Sequence, residues 1–139
     1  MNLKVPSRDP ALSAAYAACR EIAKRQAKNF YYAFIALPLD RRNAICAIYA
    51  FMRQADDLAD DESIPREERR RRLDAWLASW RRASKGAATI DPVFLAVRDA
   101  TSRFSIPLSL LDELVAGVTL DLDQAGKGEP ETYETFGDL

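Results

Sequence analysis

Apolar side chains recur at intervals of three and four along most of the chain, the spacing of one face of a helix. Asp9 followed by Pro10 is a cap-then-proline signature. It opens a predicted helix that runs to about Leu37, with Leu12, Tyr16, Cys19, Ala23, Ala27, Phe30, Tyr31 and Phe34 on its apolar stripe, and Pro38 ends it. "LDRRNAICAIYAFMRQADDLAD" predicts a second helix over about Asp40 to Asp61. Ser63 as cap, Pro65 and the acids of the first turn start a third, which reaches about Ser84. "KGAATID" reads as a linker. Asp91-Pro92 repeats the cap-proline signature for a fourth helix ending near Ser105, and Pro107 opens a fifth that runs to about Asp123. "QAGKGEP" reads as a loop, after which "ETYETFGDL" begins a further helix. The expected fold class is all-α, a bundle-like array of five long helices and the start of a sixth.

Composition agrees. The chain has 139 residues, 48% of them hydrophobic and 29% charged, enough for one domain with a real core. Alanine is abundant, while glycine and β-branched residues are sparse, which favours helix. The formal net charge of −1 argues against a nucleic-acid binder, which needs a basic footprint. Histidine is absent, so Ser-His-Asp and Cys-His catalysis are excluded, along with most zinc sites. Cys19 and Cys46 fall among apolar neighbours and read as reduced, buried small hydrophobes. The N-terminus has no signal-peptide pattern, and no apolar stretch approaches bilayer length. The cytoplasm is the expected compartment, with peripheral membrane contact left open.

The second helix finishes in "FMRQADDLADDE", which places five acidic side chains after an apolar run. With each residue about 100° around the axis and Ile45 as reference, Tyr49, Met52, Ala55 and Ala59 define an inward arc. Asp56 then lies inside that arc and Asp60 at its rim, one turn further on, with Arg53 beside Asp60. Asp57, Asp61 and Glu62 are adequately explained as solvated acids at a helix end. Asp56 is not, because a carboxylate on a core stripe costs several kcal/mol unless a cation meets it. A hard divalent ion such as Mg²⁺, which uses one or two carboxylates, would meet that cost. A calcium loop at "DLDQAGKGEPET" fails, since Ala125 and Thr132 stand where ligands are required. Asp121 keeps a place in the picture because it shares a face with Leu114 and Val118.

The ordered string "KNFYYAFIALPLDRRNAICAIYAFMRQADDLADDE" resembles the squalene/phytoene synthase family, the head-to-head prenyl diphosphate synthases. The elements "FYYAF" with "LP", "RR" with "AI" and "AIYAF" with "R", and "DDLAD" occur in register, and the likeness continues through "LLDELVAGVTLDLD" and "TYETFGDL". The resemblance implies an isoprenoid-synthase-like helical bundle in which two aspartate-rich motifs face each other and bind Mg²⁺ that holds substrate diphosphates. Carried over, Asp56 and Asp60 are the metal-binding ends of the first motif, and Arg53 is a diphosphate contact. Lys28 and Asn29 belong to the phosphate-gripping entry segment, which reads "AKNF" here where relatives commonly have "SKSF". Phe30, Tyr32 and Tyr49 line the cavity; ordinary core packing is the competing reading for each.

The implied activity condenses two farnesyl or geranylgeranyl diphosphates, releasing pyrophosphate and giving presqualene or prephytoene diphosphate. In some relatives the product goes on to squalene or phytoene, in hopanoid or carotenoid synthesis. The second acidic motif is expected beyond Leu139, so residues 1–139 are read as the N-terminal portion of one domain that continues. Alone, they are expected to be inactive and prone to pair with a second copy. The alternative is a non-catalytic helical module that binds a protein partner or a membrane surface through "REERRRRLDAWLASWRR", with Trp76 and Trp80 one turn apart. Glu67 with Arg71 and Glu68 with Arg72 make that stretch equally an ordinary solvated face.

Overall fold

A computed structural model describes the backbone of residues 9–136 and the side chains of residues 9–124. Every regular element among them is an α-helix: α1 Pro10–Ala27, α2 Asn29–Phe34, α3 Leu39–Asp60, α4 Arg66–Ser84, α5 Pro92–Arg103 and α6 Leu108–Phe136. The central element is α3, which packs against all the others. One side of it meets α1 and α5, which also pack on each other, and another meets α4 and α6, likewise in mutual contact.

Both cap-proline signatures hold. Asp9 accepts from the backbone N–H groups of Ala11 and Leu12, and Asp91 from those of Val93 and Phe94. The interior is built from two materials. Small residues recur at every fourth position of α1 (Ala15, Cys19, Ala23, Ala27), and Ala44, Ala47, Ala50 and Ala55 line α3, so these backbones approach closely. On the α4 side the filling is aromatic. Phe51 stacks 4.8 Å from Trp76 and 5.2 Å from Trp80, and Phe94 of α5 closes the cluster at 5.5 Å from Trp80. Such pairs add about 0.5–1.5 kcal/mol each beyond the area they bury. Cys19 and Cys46 are free thiols with no solvent exposure, as expected.

The elements depart from the sequence reading at three places. The first predicted helix does not reach Leu37. It breaks at Lys28, whose φ of 46° and ψ of −106° lie outside helical space, and resumes as α2. No glycine or proline marks the break, so periodicity carried straight through it. Ser63 does not cap α4. Its backbone N–H and hydroxyl both go to Asp61 instead, and Pro65 stands at the α4 cap without a side-chain bond. The stretch read as a "QAGKGEP" loop is helical, so the fifth and sixth predicted helices are the single α6. Gln124, Ala125, Lys127 and Glu129 are good helix formers, which makes the two glycines and Pro130 penalties of about 1 and about 3 kcal/mol rather than stops. The side chains of "ETYETFGDL", read as the start of a further helix, lie outside those described.

Candidate functional site

Two apolar faces run along α3. The buried one carries Ala44, Ala47, Ala50, Phe51, Ala55 and Ala59. The other carries Ile45, Tyr49, Met52, Asp56 and Asp60, and it is open. Ile45 is 39% exposed, Tyr49, Met52 and Asp56 are half-buried, and Asp60 is exposed. Of the inward arc predicted around Ile45, Ala55 and Ala59 are buried, but Ile45, Tyr49 and Met52 are not; the core arc lies around Ala47, Phe51 and Ala55. The middle of α3, residues 44–52, is a continuous apolar run, which gives no periodic signal of which face meets its neighbours first. Reading the larger side chains as core put Ile45 inward, where it is exposed, and gave the centre to Tyr49 and Met52, which are only partly buried against the core. Asp56 is consequently not sunk in a core stripe but sits half-buried on the open apolar face.

The electrostatics of that position come from several directions. Burial pushes the Asp56 carboxyl above its ordinary value; Arg53 opposes this, while the charges of Asp60, Asp57 and Asp121 add to it. Asp121 reaches this neighbourhood from α6, as its shared face with Leu114 and Val118 suggested. Both of those side chains pack partly buried against the core. Arg53 does not pair with Asp60. Its Nε and Nη2 donate to one oxygen of Asp57, at 3.1 and 2.9 Å. Burial works against the Arg53 charge, but Asp57, by hydrogen bond and by charge, with smaller contributions from Tyr49 and Asp56, holds the guanidinium above its ordinary value. Asp57, read from the sequence as a solvated acid at a helix end, is thus the residue that orients Arg53, and i,i+4 spacing was the available signal for it.

The structure therefore brings together Tyr49, Arg53, Asp56 and Asp60, with Asp121 opposite. The other sequence-predicted site residues stand elsewhere. Lys28 and Asn29 occupy the α1–α2 break, and Phe30 and Tyr32 project from α2 at 72% and 70% exposure. Among the described residues, no hydrogen bond or ion pair joins these four to the acids. Tyr31 and Phe34, not Phe30 and Tyr32, are the aromatics of α2 that pack against the core, and their rings meet edge-on at 6.4 Å. Among the described residues, no group of three or more acidic, cysteine or histidine side chains is disposed to hold a metal ion. The donors available near Asp56 are carboxylate oxygens, a set that suits a hard cation supplied with further oxygen ligands.

The basic stretch on α4 is largely engaged. Arg70 bonds Asp74 and Asp123, and both Arg71 and Arg72 bond Glu68, so the predicted Glu67–Arg71 pair is replaced by an i,i+3 pair. Trp80 is buried and Trp76 donates its indole N–H to Gln54 at 2.8 Å. Among the described residues, no helix is long and apolar enough to cross a membrane.

Comparison with known proteins gives this arrangement a context. A family model for squalene/phytoene synthase matches residues 23–139, which takes in α2, α3 and every residue of the acidic site. The chain belongs to the squalene/phytoene synthase family. Within it, the chain is 37% identical over 112 residues to a phytoene synthase of Mycobacterium bovis, covering 81% of this chain and 36% of that protein. It is 34% identical over 135 residues to the 15-cis-phytoene synthase of Synechococcus elongatus, covering 96% and 41%. The presqualene diphosphate synthase of Zymomonas mobilis is 32% identical over 101 residues, covering 73% and 34%. The chain thus spans between a third and about two fifths of these relatives' lengths. No solved structure matches it.

Proposed function

We propose that this chain forms one wall of the active site of an enzyme that joins two prenyl diphosphates head to head with loss of pyrophosphate. The observation that carries the reading is the open face of α3, where Asp56 sits half-buried among apolar neighbours, with Asp60 one turn on and Asp121 adding its charge. Like charges gathered beside an apolar wall are unfavourable unless a cation joins them. The names of the family relatives give the same direction.

Asp56 and Asp60 would hold Mg²⁺, with Asp121 close enough to act on the same charge. Bound there, the ion would supply positive charge to the diphosphate and ease its departure. Arg53, oriented by Asp57, donates to the diphosphate oxygens, and Lys28 and Asn29 grip them from the α1–α2 break. Ile45, Tyr49 and Met52 keep water from the allylic cation that remains when the C–O bond breaks. Phe30 and Tyr32, exposed in the described residues, extend that lining. The alkene of the second substrate captures the cation, and loss of a proton to the released pyrophosphate closes a cyclopropylcarbinyl diphosphate. Farnesyl and geranylgeranyl diphosphate both satisfy this chemistry.

The test uses a chain extended to the length of its relatives, assayed with each diphosphate and Mg²⁺. Asp56→Asn and Asp60→Asn are each expected to lower product formation by more than about 100-fold, since even residues one step behind a metal ligand cost about 10–100-fold. Circular dichroism should stay unchanged. Wild-type turnover in either variant would sink the assignment, and the product formed by the unsubstituted enzyme identifies the substrate.

A further inference from the structure

The end of α3 that carries the acids has no cation of its own. No basic residue lies in its last turn, although the exposed carbonyls there carry a partial negative charge that Asp56, Asp57 and Asp60 deepen. The backbone shows a second deficit. In a continuing helix the Ala59 carbonyl would accept from the N–H of Ser63. That N–H is diverted to the Asp61 side chain, at 3.1 Å, and the chain turns away, with the Ile64 N–H bonding the Asp61 carbonyl.

One residue answers both deficits. Arg69, in the first turns of α4, reaches back so that Nη1 donates to the Ala59 carbonyl at 2.9 Å and Nε to the Ile64 carbonyl at 3.0 Å. A single guanidinium thus ties the last turn of α3 to the loop that follows, in a partly buried place. Ala59 immediately precedes Asp60 and lies three residues after Asp56. The same device recurs where no acids need placing: Arg98 of α5 donates to the Ala83 carbonyl in the last turn of α4 and to the Ala87 carbonyl in the loop that follows.

We propose that Arg69 is a positioning residue for the acidic site, fixing the last turn of α3 so that Asp56 and Asp60 present their carboxylates together to a divalent ion. It touches neither ion nor substrate and acts through the Ala59 carbonyl. This inference rests on the reading of Asp56 and Asp60 as metal ligands. A guanidinium suits the task because its rigid fork spans two carbonyls at once, which a lysine ammonium does with far less directional control.

The test compares Arg69→Gln, Arg69→Lys and Arg98→Gln in the chain extended to its relatives' length, with Asp56→Asn alongside. Mn²⁺ serves as the probe, its binding followed by electron paramagnetic resonance without substrate, and product formation is titrated with Mg²⁺ at saturating diphosphate. Both glutamine variants lose a helix-end tie and should lower Tm by about 2–4 °C. Only Arg69→Gln should weaken Mn²⁺ binding, by about tenfold, the loss typical of groups that orient ligands. Its kcat at saturating Mg²⁺ should recover to within about threefold of wild type. Arg69→Lys should bind Mn²⁺ with intermediate affinity, which covers the case in which the glutamine variant does not fold. Equal Mn²⁺ affinity in Arg69→Lys and wild type, or equal losses in Arg69→Gln and Arg98→Gln, would overturn the proposal. If Asp56→Asn itself binds Mn²⁺ as wild type does, the metal-site reading falls first and the role of Arg69 with it.

Discussion

Asp56 has a folded-state pKa above its ordinary value, and the sign of that shift fixes a stability prediction. A carboxyl that binds its proton more tightly when folded contributes stability that is fully present below its unfolded pKa and is lost as pH rises through the folded value. At neutral pH the ionised Asp56 therefore opposes folding of the metal-free chain. Asp56→Asn should raise Tm at pH 7, and the difference from wild type should vanish as the pH falls toward 3–4; a variant no more stable than wild type at pH 7 would contradict the electrostatic picture. The two cysteines give a cleaner case. Burial pushes the Cys19 thiol up to about 12, with the Cys46 and Asp91 charges adding and Arg20 opposing. Burial likewise raises Cys46. Both thiols should remain unmodified by a water-soluble disulfide reagent in the native protein, and labelling should follow the unfolding rate as denaturant is added. At this scale the sequence was informative about which residues matter and less so about their partners. The spacing of Asp56 and Asp60 was readable, but the wheel set Arg53 beside Asp60 where the structure pairs it with Asp57 at i,i+4, and nothing local to Arg69 announces that it serves the helix before it.

Helix boundaries depend on caps, and caps are where elements are most easily tested. Asp91→Ala removes the acceptor for two N–H groups at the start of α5 and should cost about 1 kcal/mol, read from urea unfolding. Trp80→Ala should cost about 3–5 kcal/mol, because it removes a fully buried ring packed on both Phe51 and Phe94 between α3, α4 and α5. Lys28 offers a dissociation of fold from function. Its positive φ costs a non-glycine residue about 1–3 kcal/mol. Lys28→Gly relieves that strain while loosening the unfolded chain by about 0.5–1 kcal/mol, so stability should hold or rise. If Lys28 grips phosphate as proposed, the KM for the prenyl diphosphate should rise at the same time. The cap-proline pairs made α1 and α5 legible in advance. The break at Lys28 was not, because its cause is a backbone conformation that no residue type in "QAKNF" demands.

For the molecule as a whole, the all-α class was legible because period, composition and caps agreed across every segment. Which side of α3 faces inward was not, because that is decided by α1, α4, α5 and α6 together and not by α3 alone. The consequence is measurable. The chain covers 36% of one relative and 41% of another, and one apolar face of α3 stays open in it. Residues 1–139 expressed alone should form no product. Mg²⁺ with pyrophosphate should shift their Tm by less than about 1 °C, whereas a chain of the relatives' length, binding at 100 times its Kd, should gain about 2.7 kcal/mol.

The row of alanines that seats α3 also decides where such an enzyme can be reshaped. Ala44, Ala47, Ala50 and Ala55 are buried where α3 meets its neighbours, so a saturation library there should return mostly misfolded clones. Ile45 is exposed, and Tyr49 and Met52 are only partly buried against the core. If the chain forms the active-site wall proposed, diversity introduced at those three positions should survive folding selection and alter the chain length of the product.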